Sequence, residues 1–326
     1  METLPRRLIR FGNSSYIVSL PKEWVDKHRL KKGDILFISE NPESNLVILP
    51  KEKSKSKDAN EEKVMEINFN QRSFDDFRRE LTSGYINNIK TIRVVGENLD
   101  SRAEQIVKTA RALIGFEVLD QSQNEIIIKD FLNIDTISPK KIMRRIDNSV
   151  RSMMEDLKKE MSERSQFRQE VYNEIMRADY DVNKLHFLIL KISKLGLNNE
   201  EIRKSFEMNY DALSEMHGTS LHLEYIGDDI KRIARFLAKT KVNEKQQKQL
   251  MLLTSLIDKC FSSAMASYYN EDVKLAREVL EEKQNVLKEC DKLFELGSNN
   301  SAIGSMIERY KTLYSAIYDI AKLVIY

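Results

Sequence analysis

Proline and glycine are scarce in this chain, at 5 and 10 of 326 residues. Together they make up about 5%, against a usual ~12%. This excludes collagen-like and low-complexity classes, and a turn-rich all-β chain from end to end. The few prolines are also unevenly placed. Pro5, Pro21, Pro42 and Pro50 fall in the first fifty residues, Pro139 stands alone, and 140–326 has none. That long tail is therefore predicted to be helical. Cysteine is nearly absent: Cys260 and Cys290 both sit at apolar helical positions. A disulfide framework is excluded, and reduced core thiols are expected. No sign of charge dominates, since 53 Lys and Arg against 51 Asp and Glu leave a net +2. Any nucleic-acid footprint must then be local. Long apolar runs are missing too. The start, Met1-Glu2-Thr3-Leu4-Pro5-Arg6-Arg7, lacks the apolar core of about 7–15 residues that a secretory signal needs. The greasiest stretch, Leu185 to Ile192, is interrupted by His186 and Lys191 and falls far short of the ~20 residues of a membrane span. A soluble, cytoplasmic protein without membrane insertion is expected.

What is present falls into a multidomain, mainly α pattern. Residues 1–50 read as short strands and turns: Leu8 to Phe11, a Gly12-Asn13-Ser14 turn, an alternating strand Tyr16 to Leu20, a short helix opened by Pro21, then strands at Ile35 to Ile38 and Leu46 to Leu49. Fifty such residues can hardly bury a core alone, so this module is expected to be an obligate homodimer. Residues 51–63 are almost all charged or polar and read as a solvated linker.

Residues 64–137 alternate in the order β-α-β-α-β-β, which suggests a small sheet with helices on one face. The second helix runs from Ser101 to a C-cap at Gly115, and no glycine-rich phosphate loop follows any strand. From Ser138-Pro139 onward heptad spacing takes over, beginning with Met143, Ile146, Val150, Met153 and Leu157. Six helices with polar breaks near 164, 197, 241, 271 and 298 are predicted for 138–326. Helix starts near 138 and 168 recur near 245 and 272, which implies two three-helix units, about 138–240 and 245–326.

Two clusters could carry chemistry. The first is basic: Arg6, Arg7 and Arg10 lie on or beside the first strand, with Asn13, Ser14 and Lys22 close by in sequence. Residues 1–34 hold eight Lys/Arg and four acids, a local +4 that dimerisation doubles. That is enough to neutralise several phosphates while Arg and Asn reach base edges. Ordinary surface charge accounts for the same composition. The second cluster is acidic. Asp179 and Asn183, and Glu224 and Asp228, are two i, i+4 pairs, and each pair shares a helix face. On facing helices these oxygens suit a divalent or ferric ion such as iron, zinc or magnesium. Asp228 is equally spaced to pair with Lys231 and Arg232 on a solvated face. His186, His217 and His222 are not at ligand spacing, and Tyr310, Tyr314 and Tyr318 read as bundle packing.

Arg10-Phe11-Gly12-Asn13-Ser14, Ile17-Val18-Ser19-Leu20-Pro21-Lys22 and Leu30-Lys31-Lys32-Gly33-Asp34 together resemble the swapped-hairpin DNA-binding domain of the AbrB, SpoVT and MazE family. The resemblance implies a barrel interleaved from two chains, with Arg6, Arg7, Arg10, Asn13 and Ser14 toward DNA. Ser15 replaces a proline common in the antitoxin branch. Likewise Leu223-Glu224-Tyr225-Ile226-Gly227-Asp228 with Ile233-Ala234, and Asp179 to Leu185, resemble motifs of PhoU-type phosphate uptake regulators. That family implies paired three-helix bundles whose acidic motifs can hold metal clusters. Asn183 stands where an aspartate is usual, and Lys311 and Ser315 fall where acids are expected in the second repeat. The three segments in this order look like an archaeal phosphate uptake regulator. No nucleophile–base pair or cofactor loop emerges, so a non-enzyme is expected. The expected function is DNA-binding transcriptional regulation of phosphate homeostasis. The alternative is an adaptor that binds a phosphate transporter or its kinase and uses the hairpin domain only to dimerise.

Overall fold

The structure is a computed structural model that describes residues 5–12, 15–40, 45–50, 64–70, 72–163, 167–297 and 300–326. Asn13, Ser14 and the charged segment 51–63 lie outside the described residues. The chain divides into two compact units, Met1–Glu62 and Lys63–Tyr326.

In the first unit, β1 (Ile9–Phe11) pairs antiparallel with β2 (Ser15–Ile17), and β3 (Phe37–Glu40) pairs with β4 (Leu46–Leu49). Between them α1 (Lys22–Lys27) follows Pro21, whose extended backbone serves as N-cap. Among the described residues these are two separate two-stranded sheets, and a closed barrel is not shown within the single chain. No described residue of this unit is buried.

The second unit opens with the expected β-α-β-α-β-β order: β5 (Val64–Asn68), α2 (Phe74–Ile86), β6 (Thr91–Val95), α3 (Ala103–Arg111), β7 (Phe116–Gln121) and β8 (Glu125–Asp130). The sheet order is β5-β6-β8-β7, with β5 and β6 parallel and the other pairs antiparallel. Alternation puts Ile67, Ile92, Val94, Phe116, Ile126 and Ile128 on one face, where they pack with Phe77, Leu81 and Tyr85 of α2 and Ile106 and Ala110 of α3. The opposite face is wet, and Arg93 there bridges Glu66 and Glu125 across three strands. Leu119 bulges out between Val118 and Asp120 and is exposed.

Boundaries differ from the sequence reading in both units, and in the first the strands expected over Tyr16–Leu20 and Ile35–Ile38 are Ser15–Ile17 and Phe37–Glu40. The helix expected to end at Gly115 stops at Arg111, and Leu99–Arg102 forms a separate 3₁₀ turn before it. Gly115 instead sits at φ +91° in the turn entering β7. There a Cβ would come within 2.7 Å of Leu132 Cβ, so both backbone sign and space demand glycine.

The described residues of 139–325 form eight helices: α4 (Pro139–Glu163), α5 (Gln169–Asn198), α6 (Glu200–Ser205), α7 (Tyr210–Lys239), α8 (Glu244–Asn270), α9 (Val273–Glu281), α10 (Lys283–Gly297) and α11 (Ser301–Ile325). The two beyond the expected six are the one-turn α6 and a break at Glu282 that splits one long helix into α9 and α10. With so little proline and glycine, the chain starts its helices with asparagine. Asn199, Asn209, Asn243 and Asn300 each accept a hydrogen bond from a backbone N–H in the first turn, and Asn243 forms a full capping box with Gln246. The heptad positions of α4 are all buried in one continuous core. Cys260 and Cys290 are free and buried in it. Tyr310 and Tyr314 are buried as well, their hydroxyls paired with Thr254 Oγ1 at 2.6 Å and, as donor, with the Val279 carbonyl at 2.7 Å. Among the described residues no helix is long and apolar enough to cross a membrane.

A candidate ion-pair centre and a basic strand

The four residues of the acidic cluster converge, because α5 and α7 pack side by side with their heptad faces together. At their centre is Lys231. Its Nζ lies 2.6 Å from Asp179 Oδ2 on α5 and 2.5 Å from Asp228 Oδ1 on its own helix. Arg232 Nη2 takes the other Asp228 oxygen at 2.8 Å. Asn183 Nδ2 donates to the Asp179 carbonyl at 3.1 Å and to Asp179 Oδ2 at 3.3 Å. Gly227 lies opposite, its Cβ position 3.7 Å from Asp179 Oδ1.

The electrostatics follow from burial and crowding. Burial pushes the Asp179 carboxyl up, and Lys231 works against that rise. Glu224 is raised to about 7, first by burial and then by the neighbouring Asp228 and Asp179 carboxylates. For Lys231 burial pulls down, yet hydrogen bonds to Asp179 and Asp228 outweigh it and the ammonium is held above its ordinary value. Beside this cluster α7 and α11 frame a cleft of about 460 Å³, lined by Tyr225, Asp228 and Arg232 on one wall and Arg309, Thr312 and Ser315 on the other. At its base the buried Asp229 accepts from Thr312 Oγ1 and pairs with Arg309 at 3.4 Å and Arg232 at 3.7 Å. Lys311 pairs with Glu308 instead.

The donor set does not fit a metal ion as placed. The point between Asp179 and Asp228 is filled by an ammonium. Asn183 turns its NH₂ inward, held so by the Asp179 carbonyl, and an NH₂ donor cannot ligate a cation. Among the described residues no group of three or more His, Cys, Asp or Glu is arranged to hold a metal.

In the first unit Arg6, Arg7, Arg10 and Lys22 are all exposed. Arg10 is paired with Tyr16 across the hairpin, so it lies on the face opposite Ile9 and Phe11. Arg6 donates only to the Pro5 carbonyl, at 3.1 Å. None of the four pairs with an acid among the described residues.

Residues 9–56 match the family model of antidote-toxin recognition MazE, bacterial antitoxin. The match covers this exposed hairpin unit, here the MazE-type head, and runs six residues past the boundary expected at 50. The crystal structure of PhoU from Pseudomonas aeruginosa is similar to the chain at 14% identity and a TM-score of 0.46, covering 58% of this chain and 94% of that one. No curated protein matches the chain.

Outside the head, two polar centres escaped the sequence reading. One is the Asp229–Arg309–Thr312 group. The other joins the sheet layer to the bundle: Lys191 of α5 is fully buried, with Nζ 3.0 Å from Asp130 Oδ2 and 3.0 Å from the Tyr85 carbonyl, over the Tyr85 ring. A lone lysine inside the apolar run Leu185 to Ile192 is the one signal that pointed there. His186, the other interruption, is buried with Nδ1 3.2 Å from Ser220 Oγ, and burial lowers it to about 4.

Proposed function

We propose that the protein is a homodimeric, DNA-binding transcriptional regulator in which the MazE-type head reads DNA and the helical bundle carries the signal. The observation that supports this most is that Arg10, on β1 and inside the matched residues, and Arg6 and Arg7 just before the match have no acidic partner among the described residues. Dimerisation through the head is supported by its exposed apolar side chains. Leu8, Ile9, Phe11, Ile35, Ile38 and Leu46 are all more than half exposed in the single chain. An isolated hairpin is marginal in water, so a second copy is the natural cover. The dimer sets two basic strands against one duplex, and a closed interleaved barrel is the form we propose for it. The PhoU-like motifs around Glu224 and Asp179 support phosphate status as the signal.

We also read the protein as a non-enzyme; among the described residues the hydroxyl–imidazole pair of Ser220 with His186 is sealed in the core. A second reading is favoured by the family's description as antidote-toxin recognition. In it the head grips protein rather than DNA, or only dimerises, and the bundle serves as an adaptor for phosphate transporter components. A gel shift with a random duplex at low salt, run beside a pull-down with transporter subunits, separates the two. Shifted duplex supports the regulator; no shift at low salt with captured subunits supports the adaptor.

A further inference from the structure

We propose that Lys231 is the resident cation of the Asp179–Glu224–Asp228 face: the chain's own ammonium fills the place a metal ion would take, and the bundle is complete without one. Three observations carry this. The ammonium touches one oxygen of each aspartate at 2.5–2.6 Å, bridging two helices that are 52 residues apart in sequence at this contact. Arg232 covers the remaining Asp228 oxygen, and Asn183 presents a donor, so an entering cation finds neither aspartate free to bind it through both oxygens and no amide oxygen turned toward it. Asp179 Oδ1, the one buried oxygen of the group without a hydrogen bond, faces Gly227.

The same arrangement recurs throughout the second unit. Each of the five carboxylates buried among its described residues is matched by a cation from the chain: Asp130 by Lys191, Asp147 by Arg151, Glu160 by Arg168, Asp179 by Lys231 and Asp229 by Arg309. A carboxylate taken out of water needs a counter-charge. Here that need is met covalently, by side chains that cannot dissociate. Chelation or metal starvation should therefore leave the fold untouched, and a cation site should open only when the Lys231 charge is removed.

The test uses the full-length protein and Mn²⁺, Zn²⁺ or Fe³⁺ alone. Equilibrium dialysis with metal analysis, and thermal melts in chelator and in each metal, are compared for wild type, Lys231→Arg and Lys231→Met. The expected result is no stoichiometric binding and no metal-dependent melting shift for wild type and Lys231→Arg. Lys231→Met is expected to bind a cation at least about tenfold more tightly and to melt higher with it, since the repelling charge is gone. If Lys231→Met does not fold in chelator, recovery of its fold by added metal supports the proposal equally. Wild type that takes up one metal per chain, and loses it in Asp179→Asn, overturns it. So does a folded Lys231→Met that ignores all three metals. Should Lys231→Met fail to fold under every condition, the wild-type measurement decides alone.

Discussion

The head and the body of this chain solve the burial problem in opposite ways. Lys63–Tyr326 buries aromatic and aliphatic side chains in two continuous cores and, among its described residues, neutralises each buried carboxylate from within. The described part of the head buries nothing, leaves its apolar residues in water and keeps its arginines unpaired. The body buries its cores within one chain, whereas in our reading the head is finished by what it binds, a second copy on its apolar side and phosphates on its basic side. A unit with unmet valences of both kinds is where interaction energy remains to be gained.

Breaking the body's self-sufficiency has the largest expected effect. Lys191→Met strips Asp130 and the Tyr85 carbonyl of their buried partner, leaving Asp130 with Lys90 at 3.1 Å and the Leu132 N–H at 3.0 Å. A loss of about 3 kcal/mol in denaturant unfolding is expected, the low end for a broken buried pair. A loss under about 1 kcal/mol would mean that this joint does not hold the sheet layer to the bundle. Next, Leu223→Ala in the core should cost about 2–5 kcal/mol at any protein concentration. Phe11→Ala in the head should leave the body's melting unchanged and raise the concentration at which the dimer dissociates. Equal behaviour of the two variants would erase the distinction between the units.

The smallest effect concerns Glu224. Its folded value of about 7 stands above the ordinary 4.5, so the native state holds this proton more tightly than the unfolded chain. Its contribution is fully favourable below about pH 4.5 and is lost as pH rises through 7. Because the group is partly solvated, Glu224→Gln should stabilise by only about 1 kcal/mol at pH 8 and by nothing near pH 4. A pH-independent difference would contradict the crowding of carboxylates at this site.

Much of this was legible in the residues. Scarce proline and regular heptads marked the helices, and period-2 alternation marked the sheet, because local periodicity reports directly which face is buried. The meeting of Asp179, Asn183, Glu224 and Asp228 followed from i, i+4 spacing on two neighbouring helices. What spacing hid was the partner. Lys231 is three residues from Asp228 and reads as a local surface pair, but it also reaches Asp179 across the helix interface. Lys191 meets Asp130 through the packing of two layers, and no local pattern encodes that encounter. The split at Glu282 was equally silent, since neither proline nor glycine marks it.

In our reading the basic segment of the head, with Arg6, Arg7 and Arg10, reads DNA. The direct measurement is the affinity of the full-length dimer for a duplex across a salt series, comparing wild type with the Arg6→Ala, Arg7→Ala, Arg10→Ala triple variant. The account predicts that affinity falls at least about tenfold and that the slope of log affinity against log salt becomes shallower, with the body's melting unchanged. An unchanged affinity and slope would contradict it, and would leave the head as a dimerisation device.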